Sequence, residues 1–250
     1  MKKILTRRTV VTAGLATAAG ASGVAAAEQY GLIPPDYNTV FGLGETLTYA
    51  AQRLITSDRF LAREFKRSDI TDPVVNGPAP IDEAFKRLAA DGFKDWRLEI
   101  EGMVANPASF SLEELKTMPQ ESHIILHACE QGWSYIAEWT GVRLSHVLDM
   151  VKTRPEARYI LFKAYPNPNQ VTGEIRELSD IIDMADALHP QTLLAYGMNG
   201  EAMPADHGAP LRIRMSRQLG YRNTKYLYRM IVTDRMDLYR KGLGTWHGGI

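Results

Sequence analysis

The only cysteine of the chain, Cys129, closes an alternating stretch, Ser122-His123-Ile124-Ile125-Leu126-His127-Ala128-Cys129, and is followed at once by Glu130-Gln131-Gly132-Trp133-Ser134. Read as a strand, this stretch puts Ile124, Leu126 and Ala128 on one face and His123, Ile125, His127 and Cys129 on the other. The first face reads as core. The second carries two imidazoles and a thiol, so it either holds a polar ligand or contains buried groups that need partners. Imidazole and thiolate are usual zinc ligands, but a structural zinc wants a fourth, and no second Cys or tight His pair stands downstream, only lone candidates such as His207 and His247. A cysteine hydrolase, with Cys129 as nucleophile and His127 or His207 as base, is a further option. No Gly-rich loop of the oxyanion-hole type directly precedes Cys129 to support it.

A second group of chemically capable residues lies downstream. His207, Arg212, Arg214, Arg217, Arg222 and Lys225 crowd one short segment, a local surplus of cations in a protein whose 29 Lys and Arg balance 29 Asp and Glu. A phosphate-bearing small ligand accounts for them, because guanidinium, ammonium and the N–H groups of a Gly-containing loop are good phosphate partners. A solvated strand face accounts for Arg212 and Arg214 equally well, since they stand at alternate positions.

The elements that must position these residues follow from periodicity and punctuation. Residues 45–65 carry helically spaced apolar positions, and residues 81–90 form a short amphipathic helix closed by Asp91-Gly92. Trp96, Leu98 and Ile100 alternate with Arg97, Glu99 and Glu101 as a strand, and the capping box from Ser111 to Glu114 opens a helix that Pro119 must end. Helices are expected near 144–151 and over 178–187. Further strands are expected at 159–164, 193–197, 211–215 and 226–233, with an Asn-Gly turn at Asn199-Gly200. Many short strands with interspersed short helices predict a mixed, mostly β, α+β domain. Trp133, Tyr135 and Trp139 read as aromatic packing that excludes water beside the cysteine.

The remainder of the chain bounds the class. At 250 residues, 45% hydrophobic and 23% charged, it is an ordinary globular sequence, and zero formal charge supplies no field to attract nucleic acid. Residues 1–27 read as an export signal, with the adjacent Arg7 and Arg8, a weakly hydrophobic Ala/Gly run and Ala25-Ala26-Ala27 before Glu28. The paired arginines resemble a twin-arginine signal, whose machinery carries folded proteins, and imply a periplasmic destination. An exported protein with one thiol forms no internal disulfide, so that thiol is sheltered or metal-bound. The expected organisation is a signal at 1–27, an N-terminal arm at 28–80, an oxidoreductase domain at 81–235 and a tail at 236–250.

Taken in order, His127-Ala128-Cys129-Glu130-Gln131-Gly132-Trp133-Ser134, Trp139-Thr140-Gly141-Val142 and Leu194-Ala195-Tyr196-Gly197-Met198-Asn199-Gly200 resemble the sulfite oxidase family of molybdopterin enzymes. So do His207-Gly208-Ala209-Pro210-Leu211-Arg212, Gly220-Tyr221 and Lys225-Tyr226-Leu227, with the bacterial exported branch most alike. The resemblance implies a molybdenum-molybdopterin cofactor with Cys129 as the metal's thiolate ligand and catalytic centre. It implies pterin contacts at His207, a phosphate-binding Arg212, loop contacts at Asn223, Thr224 and Lys225, and an arm contact at Asn76, which serves equally as a turn residue before Gly77. Ala164 falls where relatives often carry a small polar residue. The implied activity is two-electron oxygen-atom transfer on a small sulfur or nitrogen compound, with sulfoxide or N-oxide reduction preferred. Sulfite-type oxidation at the same site, a metal-free pocket protein and a cysteine hydrolase are the alternatives. A lone cysteine leaves no haem-attachment motif or multi-cysteine cluster, so a separate electron partner is implied, a c-type cytochrome or a membrane haem or quinone protein.

Overall fold

Two five-stranded sheets carry the fold in the computed structural model, which describes Ala51, residues 60–168 and residues 175–235. The signal at 1–27, most of the arm and the tail at 236–250 lie outside the described residues. All elements below fall within the unit Asp58–Gly249; the other unit, Met1–Ser57 with Ile250, is outside the described residues except for Ala51.

The first sheet contains β1 (Arg97–Gly102), β2 (Ala108–Ser111), β5 (Tyr159–Pro168), β6 (Ile175–Asp183) and β10 (Leu227–Thr233), in the order β2-β1-β10-β5-β6. Only β1 and β10 run parallel. Alternation in β1 sends Leu98 and Ile100 into the core and Arg97, Glu99 and Glu101 outward. The second sheet is β3 (Gln120–Ala128), β4 (Ser134–Arg143), β7 (Thr192–Met198) and β8 (Glu201–Ala202), with β9 (Arg212–Met215) paired to β7. Positive φ values at Asn199 and Gly200 make the tight turn between β7 and β8.

Among residues 60–168 and 175–235, four short α-helices precede or connect these strands: α1 (Glu83–Ala90), α2 (Leu112–Thr117), α3 (Leu144–Met150) and α4 (Met184–Ala187). The Ser111 hydroxyl accepts from the Glu114 N–H, while the Glu114 carboxylate accepts from the Ser111 N–H, completing the capping box on α2. Among the described residues no helix is long and apolar enough to cross a membrane. The mixed, mostly β, α+β expectation holds.

Three local expectations do not hold. Residues 178–183 belong to β6 and not to a helix, because their backbone pairs with β5 from Ala164↔Leu178 to Tyr159↔Asp183. Ile181 and Ile182 are both fully buried, so this end strand of the sheet is covered on both faces, where β-branched residues pack well. Only Met184–Ala187 is helical, capped by the Asp183 carboxylate. Second, residues 60–65, the described end of the arm helix expected at 45–65, are not helical; Glu64 forms an antiparallel bridge with Ile125 beside the edge strand β3. Third, the faces of β3 are reversed: Ile125 and His127 are buried and Leu126 is 44% exposed. Aromatics of β4 and arginines of β9 cover the histidine side, so the polar face is the inner one.

One apolar cluster packs the first sheet against the helices, around Trp96, Leu98, Ile160, Phe162, Leu227 and Met230. A second, smaller cluster contains Ile125, Tyr135, Ala137, Trp139, Leu193 and Ala195. The cysteine sits beside this second cluster.

Candidate functional site

The hairpin of β3 and β4 presents Cys129. Ala128 pairs with Ser134, the Cys129 N–H donates to the Trp133 carbonyl at 3.0 Å, and the Gly132 N–H donates back to the Cys129 carbonyl at 3.1 Å. Cys129 is 6% exposed, with its thiol donating to Glu130 Oε2 at 3.0 Å. Burial pushes this thiol up from its ordinary value. Gly220 closes over the same segment, since a Cβ there would lie 3.1 Å from His127 Nε2 and 3.5 Å from Cys129 Cβ.

Directly across the ladder from His127 stands Tyr135, and the two rings are 5.0 Å apart. Trp139, two strand steps further and on the same face, lies 5.6 Å from the His127 ring. Trp133 stacks on Tyr135 at 6.0 Å. The imidazole of His127 is held far below its usual value, first by burial and then by Arg212, Arg214, His207 and Lys225. Both effects favour the neutral ring.

β9 brings two arginines under the indole of Trp139, with guanidinium carbons 4.9 Å (Arg212) and 5.4 Å (Arg214) from the ring centroid. Arg212 donates to the carbonyls of His207 at 2.7 Å and Asn223 at 3.0 Å. Arg214 donates to the Leu126 carbonyl at 2.7 Å, to Asn223 Oδ1 at 3.3 Å and to the Met215 carbonyl. Lys225 donates to the carbonyls of Asn76 and Asp206, both at 2.8 Å. Arg212 and Arg214 are buried and Lys225 is half-buried, and among the described residues none of the three forms an ion pair with a carboxylate. Burial depresses all three: Arg214 to about 9, with Arg212 adding repulsion, and Lys225 to about 7.

The same place leaves polar atoms without a hydrogen-bond partner: His127 Nδ1, Arg212 Nε, Arg214 Nε and Thr224 Oγ1. The backbone there is shaped for close approach. Gly208 has φ of 118°, and a Cβ on it would press within 3.1 Å of Lys225 and 3.2 Å of Arg212. Cations satisfied only by carbonyls, a hydroxyl with no partner and a sheltered soft sulfur form a donor set that fits an anionic group bearing a thiophilic metal.

The residues singled out in the sequence are distributed unevenly. Arg212 reaches Asn223 and His207, and Lys225 reaches Asn76 and the Asp206 carbonyl next to His207, which brings these residues together; Thr224 lies between Asn223 and Lys225. Arg217 and Arg222 instead pair with Asp186 and Asp180. His123 turns to Glu64 at 2.8 Å and Glu121 at 3.4 Å. Ala164 is packed in the main apolar cluster. Among the described residues no group of three His, Cys, Asp or Glu could hold a metal ion, so zinc finds no ligand set there. Sequence reasoning grouped Arg214 with the cations but gave it no place in the site. Its alternation with Arg212, opposite the aromatic run of β4, was the available signal.

Comparison with known proteins gives the family. The oxidoreductase molybdopterin binding domain matches residues 85–239. A relative named protein-methionine-sulfoxide reductase subunit YedZ1, from Azospira oryzae, is 34% identical over 70% of this chain and 62% of its own length. The protein-methionine-sulfoxide reductase catalytic subunit MsrP of Ralstonia nicotianae is 30% identical over 56% of this chain and 44% of its own. The chain thus spans less than two thirds of the length of these relatives. Among solved structures, the sulfane dehydrogenase SoxCD from Paracoccus pantotrophus superposes with a TM-score of 0.49 and 23% identity, over 57% of this chain and 39% of that one. With the domain matching well over half of its residues, this chain belongs to the oxidoreductase molybdopterin-binding domain family.

Proposed function

We propose that this protein is the molybdenum-pterin subunit of an exported enzyme that transfers an oxygen atom to or from a small sulfur or nitrogen compound, with reduction of a sulfoxide or N-oxide as its working direction. One observation carries this reading: the buried Arg212 and Arg214 and the half-buried Lys225 lie beside a sheltered cysteine and donate only to carbonyl oxygens. A buried cation without a carboxylate is stable only if an anion shares its enclosure. A pterin phosphate supplies that charge.

In this reading Cys129 ligates molybdenum, Arg212 and Lys225 take the phosphate, and Thr224 Oγ1 gives it a hydroxyl donor. Asn76, His207 and Asn223 border the pterin. When bound, the metal supplies a two-electron change that adds an oxygen atom to, or removes one from, sulfur or nitrogen. The chain's own contribution is enclosure: Tyr135 and Trp139 keep water from the cations, and neutral His127 adds no further positive charge. The names of the two curated relatives support sulfoxide as the substrate. Sulfite oxidation, which calls for arginines around the anion, finds Arg97 and Arg143 engaged with Glu114 and Glu121. A cysteine hydrolase is disfavoured because the thiol's partner is Glu130 and not an imidazole.

The rest of the assignment follows from the sequence. The single cysteine makes the electron partner a separate c-type cytochrome or membrane haem or quinone protein, and the arginine pair at residues 7 and 8 makes the twin-arginine machinery the route to the periplasm. The working division is a signal at 1–27, an arm at 28–80, the oxidoreductase domain at 81–235 and a tail at 236–250.

The test is elemental and kinetic. Full-length protein from a molybdenum-replete host is assayed for molybdenum and pterin, then for oxidation of a reduced viologen dye by a sulfoxide. The expected result is stoichiometric metal and sulfoxide-dependent turnover, with Cys129→Ala folded but inactive. Metal-free protein with a freely alkylated Cys129, or undiminished turnover in Cys129→Ala, overturns the reading.

A further inference from the structure

We propose that Arg214 is a positioning residue that fastens the strand delivering Cys129 to the loop carrying Asn223, Thr224 and Lys225. The inference rests on the site reading above. It concerns a residue that neither the sequence resemblance nor that reading places in contact with the cofactor.

Arg214 is 1% exposed, and its guanidinium reaches three separate elements. Nη2 donates at 2.7 Å to the carbonyl of Leu126, on β3 and three residues before Cys129. Nη1 donates to the Met215 carbonyl on β9 and, at 3.3 Å, to Asn223 Oδ1 in the loop. The same Oδ1 accepts from the Met215 N–H at 2.6 Å, so Asn223 is held from two sides. Asn223 Nδ2 in turn donates to the Leu219 carbonyl at 2.8 Å, next to the Gly220 that packs on His127 and Cys129. The path from strand to loop therefore closes on itself around the thiol.

β3 needs such a fastening because it is the edge of its sheet, with β4 as its only full-length neighbour. On its other side the described structure supplies one bridge, at Glu64 and Ile125. A planar fork with its donors in fixed directions can serve the Leu126 carbonyl and Asn223 at once, whereas a single ammonium can reach one or the other. Structural pinning alone could have used a carboxylate-paired arginine, as at Arg222 and Asp180. Leaving Arg214 unpaired keeps its charge next to Arg212 and its placement dependent on the neighbouring anion.

The test is hydrogen exchange on the full-length holoenzyme, comparing Arg214→Lys, which keeps the charge, and Arg214→Met, which keeps much of the volume, with the unaltered protein. The expected result is exchange about tenfold or more faster at the amides of His127, Cys129, Met215 and Asn223 in both variants, with Tyr159–Phe162 and Met230 unchanged. The molybdenum(V) paramagnetic resonance of each variant should broaden, because the thiolate is less fixed. Uniform acceleration across both sheets, unaltered exchange at the four amides, or full rescue by Lys would each overturn the proposal. If neither variant folds, native-state exchange of the unaltered protein in rising denaturant decides: Cys129 and Asn223 must open together, and separate openings sink it. Loss of cofactor from unaltered protein would instead strike the reading of the site and leave the exchange result standing.

Discussion

Two sets of arginines, all buried except the half-buried Arg217, lie close together in sequence and solve the same electrostatic problem differently. Arg222 is 1% exposed and meets Asp180 at 2.6 Å with its second nitrogen on the Ile181 carbonyl, while Arg217 meets Asp186 at 3.0 Å. Arg212 and Arg214, equally buried, meet carbonyl oxygens and the face of an indole. The first set closes its charge within the protein, using carboxylates at Asp180 and Asp186 beside the loop. The second leaves a net positive charge in a low-dielectric enclosure, an arrangement a fold retains only where something outside the chain completes it. What neutralises an arginine, not its burial, therefore separates the two sets.

The comparison breaks most visibly at Asp180. Asp180→Asn strands the guanidinium of Arg222 without its counter-charge, and chemical unfolding should register a loss of about 3–5 kcal/mol whether or not cofactor is present. Arg212→Met acts in the opposite sense. In cofactor-free protein it frees the carbonyls of His207 and Asn223, a cost of about 1–3 kcal/mol, but it also removes a buried charge, so the net loss should be smaller than for Asp180→Asn. In the loaded protein the same change should lower retained pterin about 10–100-fold, the worth of one charge-assisted hydrogen bond. If Arg212→Met costs cofactor-free protein as much as Asp180→Asn does, the distinction between the two sets fails.

How much of this was legible in the sequence depended on where the deciding contacts come from. β1 and β10 could be read because apolar alternation and their turns are local. Residues 178–183 could not, since the spacing of Leu178, Ile181, Ile182 and Ala185 fits a helix, and only the ladder to β5 makes this part of the segment a strand. Cys129 stood out as a lone thiol at a strand end. The inward face of its strand did not, because both faces carry apolar residues and the choice is made by Trp139 and Arg212, far away in the chain. Arg214 was named among the cations but not placed for a related reason: an alternating arginine pair looks the same over solvent as over an indole. Twin cations therefore pointed to the proposed anion site only in company with the neighbouring motifs.

Acidity sharpens the comparison further. Burial holds Lys225 at about 7 in the folded protein against an ordinary lysine value of 10.5. Between those values the unfolded chain binds the proton and the folded chain does not, so stability must rise with pH across that window. Cofactor-free protein should accordingly gain stability from about pH 7 upward, and Lys225→Met should flatten that slope. Bound phosphate, by favouring the charged ammonium, should flatten it as well, so a holoenzyme with the same slope as the cofactor-free protein would separate Lys225 from the anion.

The smallest effect tests whether a carboxylate partner matters because it is a partner or because it is buried. Arg97 meets Glu114 at 2.8 Å, nearly as close as Arg222 meets Asp180, but the two side chains are 50% and 56% exposed. Water already solvates both charges, so removing one strands nothing, and the ordering of two mobile side chains offsets much of their attraction. Glu114 keeps its capping bonds to Ser111 regardless of the arginine. Arg97→Ala should therefore leave the unfolding midpoint within error of the unaltered protein at any salt concentration, while Asp180→Asn shifts it strongly. A large loss in Arg97→Ala would mean that distance alone sets the worth of these pairs, and the carbonyl-bound arginines could then no longer be read as awaiting an anion.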